Sequence, residues 1–151
     1  MKKFTFSLER VLNYKEQIEQ SLRSEHGQAV RKVKEKEAQI EELETGFARY
    51  TTDLEEVKSQ EVSAARLRAY EGYLGTLIGR IALEKKNLIV LQKEEERKRE
   101  QVIEAKKETS SIQKLKEKKE KEYAAQSAKV QEREIEEFVS NRSMKQKKNQ
   151  G

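Results

Sequence analysis

No proline and no cysteine occur anywhere in this chain, tryptophan is absent, and the remaining aromatic residues are five tyrosines and four phenylalanines. Without cysteine there is no disulfide framework, thiolate nucleophile or cysteine metal site, and the redox compartment stays open. Apolar residues are scarce: 34% of the 151 residues are hydrophobic against 40% charged, and the mean hydropathy is -1.06. Such a composition is too polar for a thick globular core. No apolar run approaches the roughly 20 residues of a membrane span, and the opening MKKFTFSLER turns charged too soon for a signal peptide. A cytoplasmic protein is expected. What the chain does have is a stock of Glu, Lys, Gln, Arg, Ala and Leu, residues of high helix propensity, with apolar positions at regular helical intervals. This distinguishes it from a disordered chain of similar polarity.

The formal net charge is +5, and Arg142, Lys145, Lys147 and Lys148 in the closing RSMKQKKNQG supply four of those charges. Acids and bases interleave along the rest, as on solvated helix faces, which is not the one-sided basic stripe of a nucleic-acid binder. The tail over residues 142–151 is expected to be a disordered, soluble end, with contact to an acidic partner as the alternative.

Two heptad registers can be followed. The first has a/d pairs Leu12/Lys15, Glu19/Leu22, His26/Ala29, Val33/Lys36, Ile40/Leu43, Phe47/Tyr50 and Leu54/Val57; the second runs from Leu67/Tyr70 through Leu74/Leu77, Ile81/Glu84, Leu88/Leu91, Glu95/Lys98 and Val102/Ala105 to Thr109/Ile112. They are out of phase by one residue. Folding the chain back at 58–66 lets the two seams face each other antiparallel, with Val57 on Leu67, Phe47 on Leu77, Leu43 on Ile81 and Leu12 on Ile112. A polar stretch falls where Ala29 meets Glu95 and His26 meets Lys98. A parallel dimer of one long helix competes with this reading, and the register slip counts against it. The fold class expected is therefore all-α, a single domain over 1–151 built as a long antiparallel two-helix coiled-coil hairpin. Helix one covers about 8–57 and helix two about 65–141. Ser7 is expected to cap helix one, with Phe6 stapled onto Val11. From about Glu120 onward helix two has no facing helix, so its C-terminal end projects.

Catalytic constellations are missing. The lone histidine, His26, sits at a seam position, where a tolerated polar residue explains it better than a ligand or base. Gly72, Gly75 and Gly79 in GYLGTLIG neither follow a strand nor precede a GK[ST] signature, so they are no phosphate loop. We expect no catalytic residue, no metal site and no cofactor. The three glycines fall on the outer face of helix two, beside the off-seam apolar residues Tyr73, Ile78, Leu83, Ile89 and Val90. Each glycine costs about 1 kcal/mol in a helix relative to alanine. Two readings remain open, a locally pliable helix or a face that another backbone approaches closely. Tyr123, Val130, Ile135 and Phe138 form a second set of apolar positions on the projecting end.

The segments FTFSLERVLNYKE, LRAYEGYLGTLIGRI and EREIEEFVSNR, at matching places along essentially the whole chain, resemble the FliJ family of soluble coiled-coil proteins of the flagellar type III export apparatus. The resemblance implies a helical hairpin similar to the central stalk, or gamma subunit, of rotary ATPases. It implies that the end carrying both termini enters the pore of the hexameric export ATPase FliI, that another part contacts the membrane export gate FlhA, and that export chaperones bind. Such a protein is no enzyme, and lies at the inner face of the cell membrane, peripheral to it through its protein partners. The gate-contact region then comprises Tyr73 and Leu77 with Gly72, Gly75, Ile78, Gly79 and Arg80, although the seam places Leu77 in the core. The ring contact comprises Tyr123, Val130, Arg133, Ile135, Phe138 and Arg142. A generic coiled-coil scaffold or self-associating structural protein is the alternative, and it would extend its seam evenly to both ends.

Overall fold

A computed structural model describes residues 2–150. It contains two helices, α1 (Glu9–Lys58) and α2 (Ala64–Asn149), and no strand among the described residues. The residues group into two compact units, one made of Glu19–Glu104 and the other of Met1–Ile18 with Ala105–Gly151.

In the unit Glu19–Glu104, α1 and α2 run antiparallel on either side of a short turn. Every expected seam residue in it is buried or half-buried, from Glu19 to Val57 on α1 and from Leu67 to Val102 on α2. A 3.5-residue apolar repeat keeps one face of each helix turned to its neighbour, which is why the burial follows the heptads. Ile40, Leu54 and Leu77 are the most covered of the large side chains here. The polar stretch is present but is bonded diagonally. His26 Nε2 lies 2.8 Å from Glu95 Oε1, and Lys98 Nζ lies 2.6 Å from Glu25 Oε2. Nearer the turn Lys36 Nζ meets Glu84 Oε2 at 2.5 Å and Lys85 Nζ meets Glu44 Oε1 at 2.9 Å. Long side chains reach an adjacent layer, so seam charges that face poor partners in the register find opposite charges one turn away.

Two serines close the turn. The Ser59 hydroxyl donates to the Glu56 carbonyl at 2.6 Å, and the Arg66 N–H donates to Ser63 Oγ at 3.3 Å. Ser63 is thus the N-cap of α2, satisfying one of the donors that a helix start leaves unpaired. The turn is tighter than 58–66, occupying 59–63 between the helices.

The other unit joins the start of α1 to the later part of α2. Leu12, only 2% exposed, is its best-buried residue. Lys15 Nζ pairs with Glu108 at 2.8 Å and Lys116 Nζ with Glu9 at 3.0 Å. The α1 start differs from expectation at its cap: the Phe6 carbonyl accepts the Glu9 N–H at 3.1 Å. That backbone turn takes a donor the Ser7 hydroxyl would have served, and Val11 stays exposed rather than stapled. Helix α2 continues to Asn149, past the expected end near Asn141. Met, Lys and Gln in the tail are good helix formers, and Lys147 and Lys148 sit in the last turn, where cations suit the helix dipole.

Candidate docking surfaces

The surface after the turn is built on an aromatic stack. Tyr50 of α1 contacts Tyr70 and Tyr73 of α2, with ring centroids 5.0 and 4.5 Å apart. Tyr50 and Tyr70 belong to the seam, so the stack props Tyr73 at the seam's edge with about half of it (49%) exposed. Ile78 is exposed, and Leu83, Ile89 and Val90 continue the apolar surface along α2. Leu77 differs from its expected companions: at 8% exposure it is core, and it supports the patch from beneath.

Gly72, Gly75 and Gly79 all have negative φ, and a Cβ added at any of them would meet nothing within 4 Å. Neither backbone conformation nor packing inside the chain therefore requires glycine at these positions. Arg80 makes no hydrogen bond or ion pair among the described residues. The sequence reading missed the contribution of α1: Gly46, Arg49 and Tyr50 line one concavity together with Tyr73, Leu77 and Arg80. A glycine among good helix formers at position 46 is the signal that pointed there.

At the other end of α2 the expected ring-contact residues divide. Tyr123 is partnered: its ring lies 5.5 Å from that of Phe4, and its hydroxyl donates to the Lys2 carbonyl. The expectation that residues beyond Glu120 lack any partner within the chain is corrected here, because the non-helical segment before α1 reaches along α2 as far as Tyr123. Beyond Ser127 every described residue to Gln150 is exposed. Val130, Ile135 and Phe138 are among them, Phe138 at 67%, and Val139 and Met144 add apolar surface that was not anticipated. Gln131 and Glu134 flank Ile135 and Phe138 in a shallow groove. Arg133 and Arg142 are exposed beside it, with no ion pair among the described residues.

Charge inside the seam is paired. The Glu95 carboxylate accepts from His26 and from Arg99, and those hydrogen bonds hold its pKa below the ordinary value. Lys36 does the same for Glu84. His26 is thereby accounted for as a seam residue bonded to its neighbour. Among the described residues no group of three or more His, Asp or Glu side chains is arranged to hold a metal, and no helix is long and apolar enough to cross a membrane.

A family model described as Flagellar FliJ protein matches residues 4–148. No curated protein and no solved structure matches the chain.

Proposed function

The chain belongs to the flagellar FliJ protein family, and from that premise we propose that it is a stalk-like adaptor that binds the hexameric export ATPase FliI, contacts the export gate FlhA and receives export chaperones. Membership makes it a component of the flagellar export apparatus, and its part there, in this reading, is structural rather than enzymatic. Its place is the inner face of the cell membrane, held there by its partners.

One observation carries the ATPase half of this reading. From Ala128 to the end of α2 the helix is bare, and within one turn it displays Ile135, Phe138 and Val139 to solvent. Burying one such side chain is worth about 1.5–3 kcal/mol, so a few of them anchor a helix in a partner. Arg133, Arg142 and the tail lysines would add steering toward acidic groups more than affinity. The patch around Tyr73 supports the gate contact in the same way, with Leu77 acting from below as its support. A scaffold that only self-associates fits less well, since half-burial along α2 stops at Ser127 while the helix continues to Asn149.

The test is ATP turnover by the export ATPase with and without the protein. Wild type is expected to stimulate it. The double variant Ile135→Asp/Phe138→Asp should leave the rate near that of the ATPase alone, with far-ultraviolet circular dichroism unchanged. Stimulation equal to wild type would remove this surface from the reading.

A further inference from the structure

The bare end of α2 carries its charge in two blocks. Residues 128–138 hold Lys129 and Arg133 against Glu132, Glu134, Glu136 and Glu137, whereas residues 139–149 hold Arg142, Lys145, Lys147 and Lys148 and no acid. None of these side chains makes a hydrogen bond or ion pair among the described residues. Where the blocks join stand Ile135, Phe138 and Val139, all exposed. Ala128, Gln131, Ile135, Phe138 and Arg142 follow one another at spacings of three and four, so they line a single stripe of the helix. Gln131, Glu134, Ile135 and Phe138 surround a shallow groove on that stripe. Four residues so spaced are the hole that receives a knob from a facing helix in a coiled coil.

We propose that this stripe pairs with the same stripe of a second copy of the chain, the two helices running antiparallel. Phe138 of each copy is the knob that enters the groove of the other, which sets Ile135 on the other copy's Phe138 and Gln131 on its Arg142. A two-fold axis repeats each contact, as an isologous pair requires of a patch complementary to itself. Charge selects both the occupant and its direction. In this register Glu132 comes within one turn of Arg142 and Lys145 of the other copy, and Glu134 within one turn of Arg142, the reach by which Lys36 meets Glu84 between α1 and α2. A parallel pair would set Arg142 on Arg142 and acid block on acid block, which like charges oppose. The overlap from Ala128 to Lys145 is about 27 Å at 1.5 Å per residue, and so small an interface gives a reversible dimer rather than an obligate one. The inference goes beyond the ring contact but uses its residues: a paired copy covers Ile135 and Phe138, so pairing and ring contact exclude each other.

Sedimentation equilibrium of the full-length chain, from low to high micromolar concentration and at low and moderate salt, tests this. Wild type should pass reversibly from monomer to dimer as concentration rises, and the dimer should weaken as salt is raised. Ile135→Asp with Phe138→Asp should hold the chain monomeric throughout, with far-ultraviolet circular dichroism unchanged because both side chains are exposed. Glu132→Lys with Glu134→Lys should weaken the dimer about tenfold or more, since lysine then meets Arg142 and Lys145. Mixing that variant with Arg142→Glu/Lys145→Glu should restore pairing, now between unlike copies. An affinity undiminished by the lysine variant would rule out the antiparallel register and overturn the proposal. So would a wild type that stays monomeric at every concentration, or a dimer that survives Ile135→Asp/Phe138→Asp. ATP turnover measured in dilute protein judges the ring contact separately, so a monomeric wild type that stimulates the ATPase overturns the pairing and leaves the ring contact standing.

Discussion

Glu84 and Glu95 sit where a coiled coil prefers leucine, and each keeps its place by accepting hydrogen bonds from a cation or histidine across or along the helices. Their carboxyls are held below the ordinary glutamate pKa, in Glu84 chiefly by the Lys36 hydrogen bond and in Glu95 by His26 and then Arg99. A lowered folded-state pKa means that the unfolded chain binds more protons in that range. The stability these groups contribute is then complete above the ordinary value of 4.5 and is lost as pH falls through their lowered values. Lys15 and Lys116 have the opposite sign. Hydrogen bonds to Glu108 and Glu9 raise them above 10.5, so their contribution is complete below that value and is lost as pH rises through the raised values. Thermal midpoints followed from pH 7 into acid should fall, and the fall should be shallower in Glu84→Gln with Glu95→Gln, which begins from a lower midpoint at neutrality. An acid limb identical to wild type would mean that these two carboxylates carry none of the dependence.

Within α2 the three outer glycines weaken the helix without packing against anything in the chain. Gly72→Leu with Gly79→Leu should therefore raise stability, since each glycine costs about 1 kcal/mol relative to good helix formers, and should still impair gate binding by blocking close approach of another backbone. Unimpaired binding would instead favour local pliability as the reason for glycine. The same helix shows how far a sequence can be read. Its seam was legible residue by residue, polar members such as Lys36 and Glu84 included, because burial in a coiled coil is fixed by a repeat that the chain writes openly. Its ends were not. Net charge alone reads the tail as disordered, yet lysine and glutamine hold a helix well, and neither proline nor glycine occurs between Gly79 and Asn149 to interrupt it. Ser63 caps α2 from within the stretch where the two seams break, and a cap there carries no heptad signal. The reach of Phe4 to Tyr123 has no periodicity to betray it, since a non-helical segment contacts α2 through single side chains. Gly46 stands alone off the seam on α1, without the clustering that marks Gly72, Gly75 and Gly79 on α2.

On the scale of the whole molecule, the two proposed contacts fall in different compact units, the gate patch around Tyr73 in Glu19–Glu104 and the ring surface in Met1–Ile18 with Ala105–Gly151. A cut placed by burial separates their contributions. Ending the chain after Ala128 removes, among the described residues, only exposed ones and retains Tyr123, so Phe4 keeps its ring partner and the Lys2 carbonyl its hydrogen bond. Ion pairs between α1 and α2 in both units also survive, from Lys116 with Glu9 to Lys36 with Glu84. The truncated protein should keep its thermal transition and its affinity for the cytosolic gate portion while losing stimulation of the export ATPase. Replacing Lys145, Lys147 and Lys148 with glutamine should give a smaller defect that is largest at low salt and shrinks as salt is raised, because exposed charges steer encounter and are screened over about 10 Å at 0.1 M salt. Both readouts come from one preparation, turnover on one side and binding on the other. Loss of both would mean that the removed helix supports the fold as a whole. Full stimulation by the truncated chain would place the ring-binding element elsewhere, with the turn end of the hairpin the next segment to test.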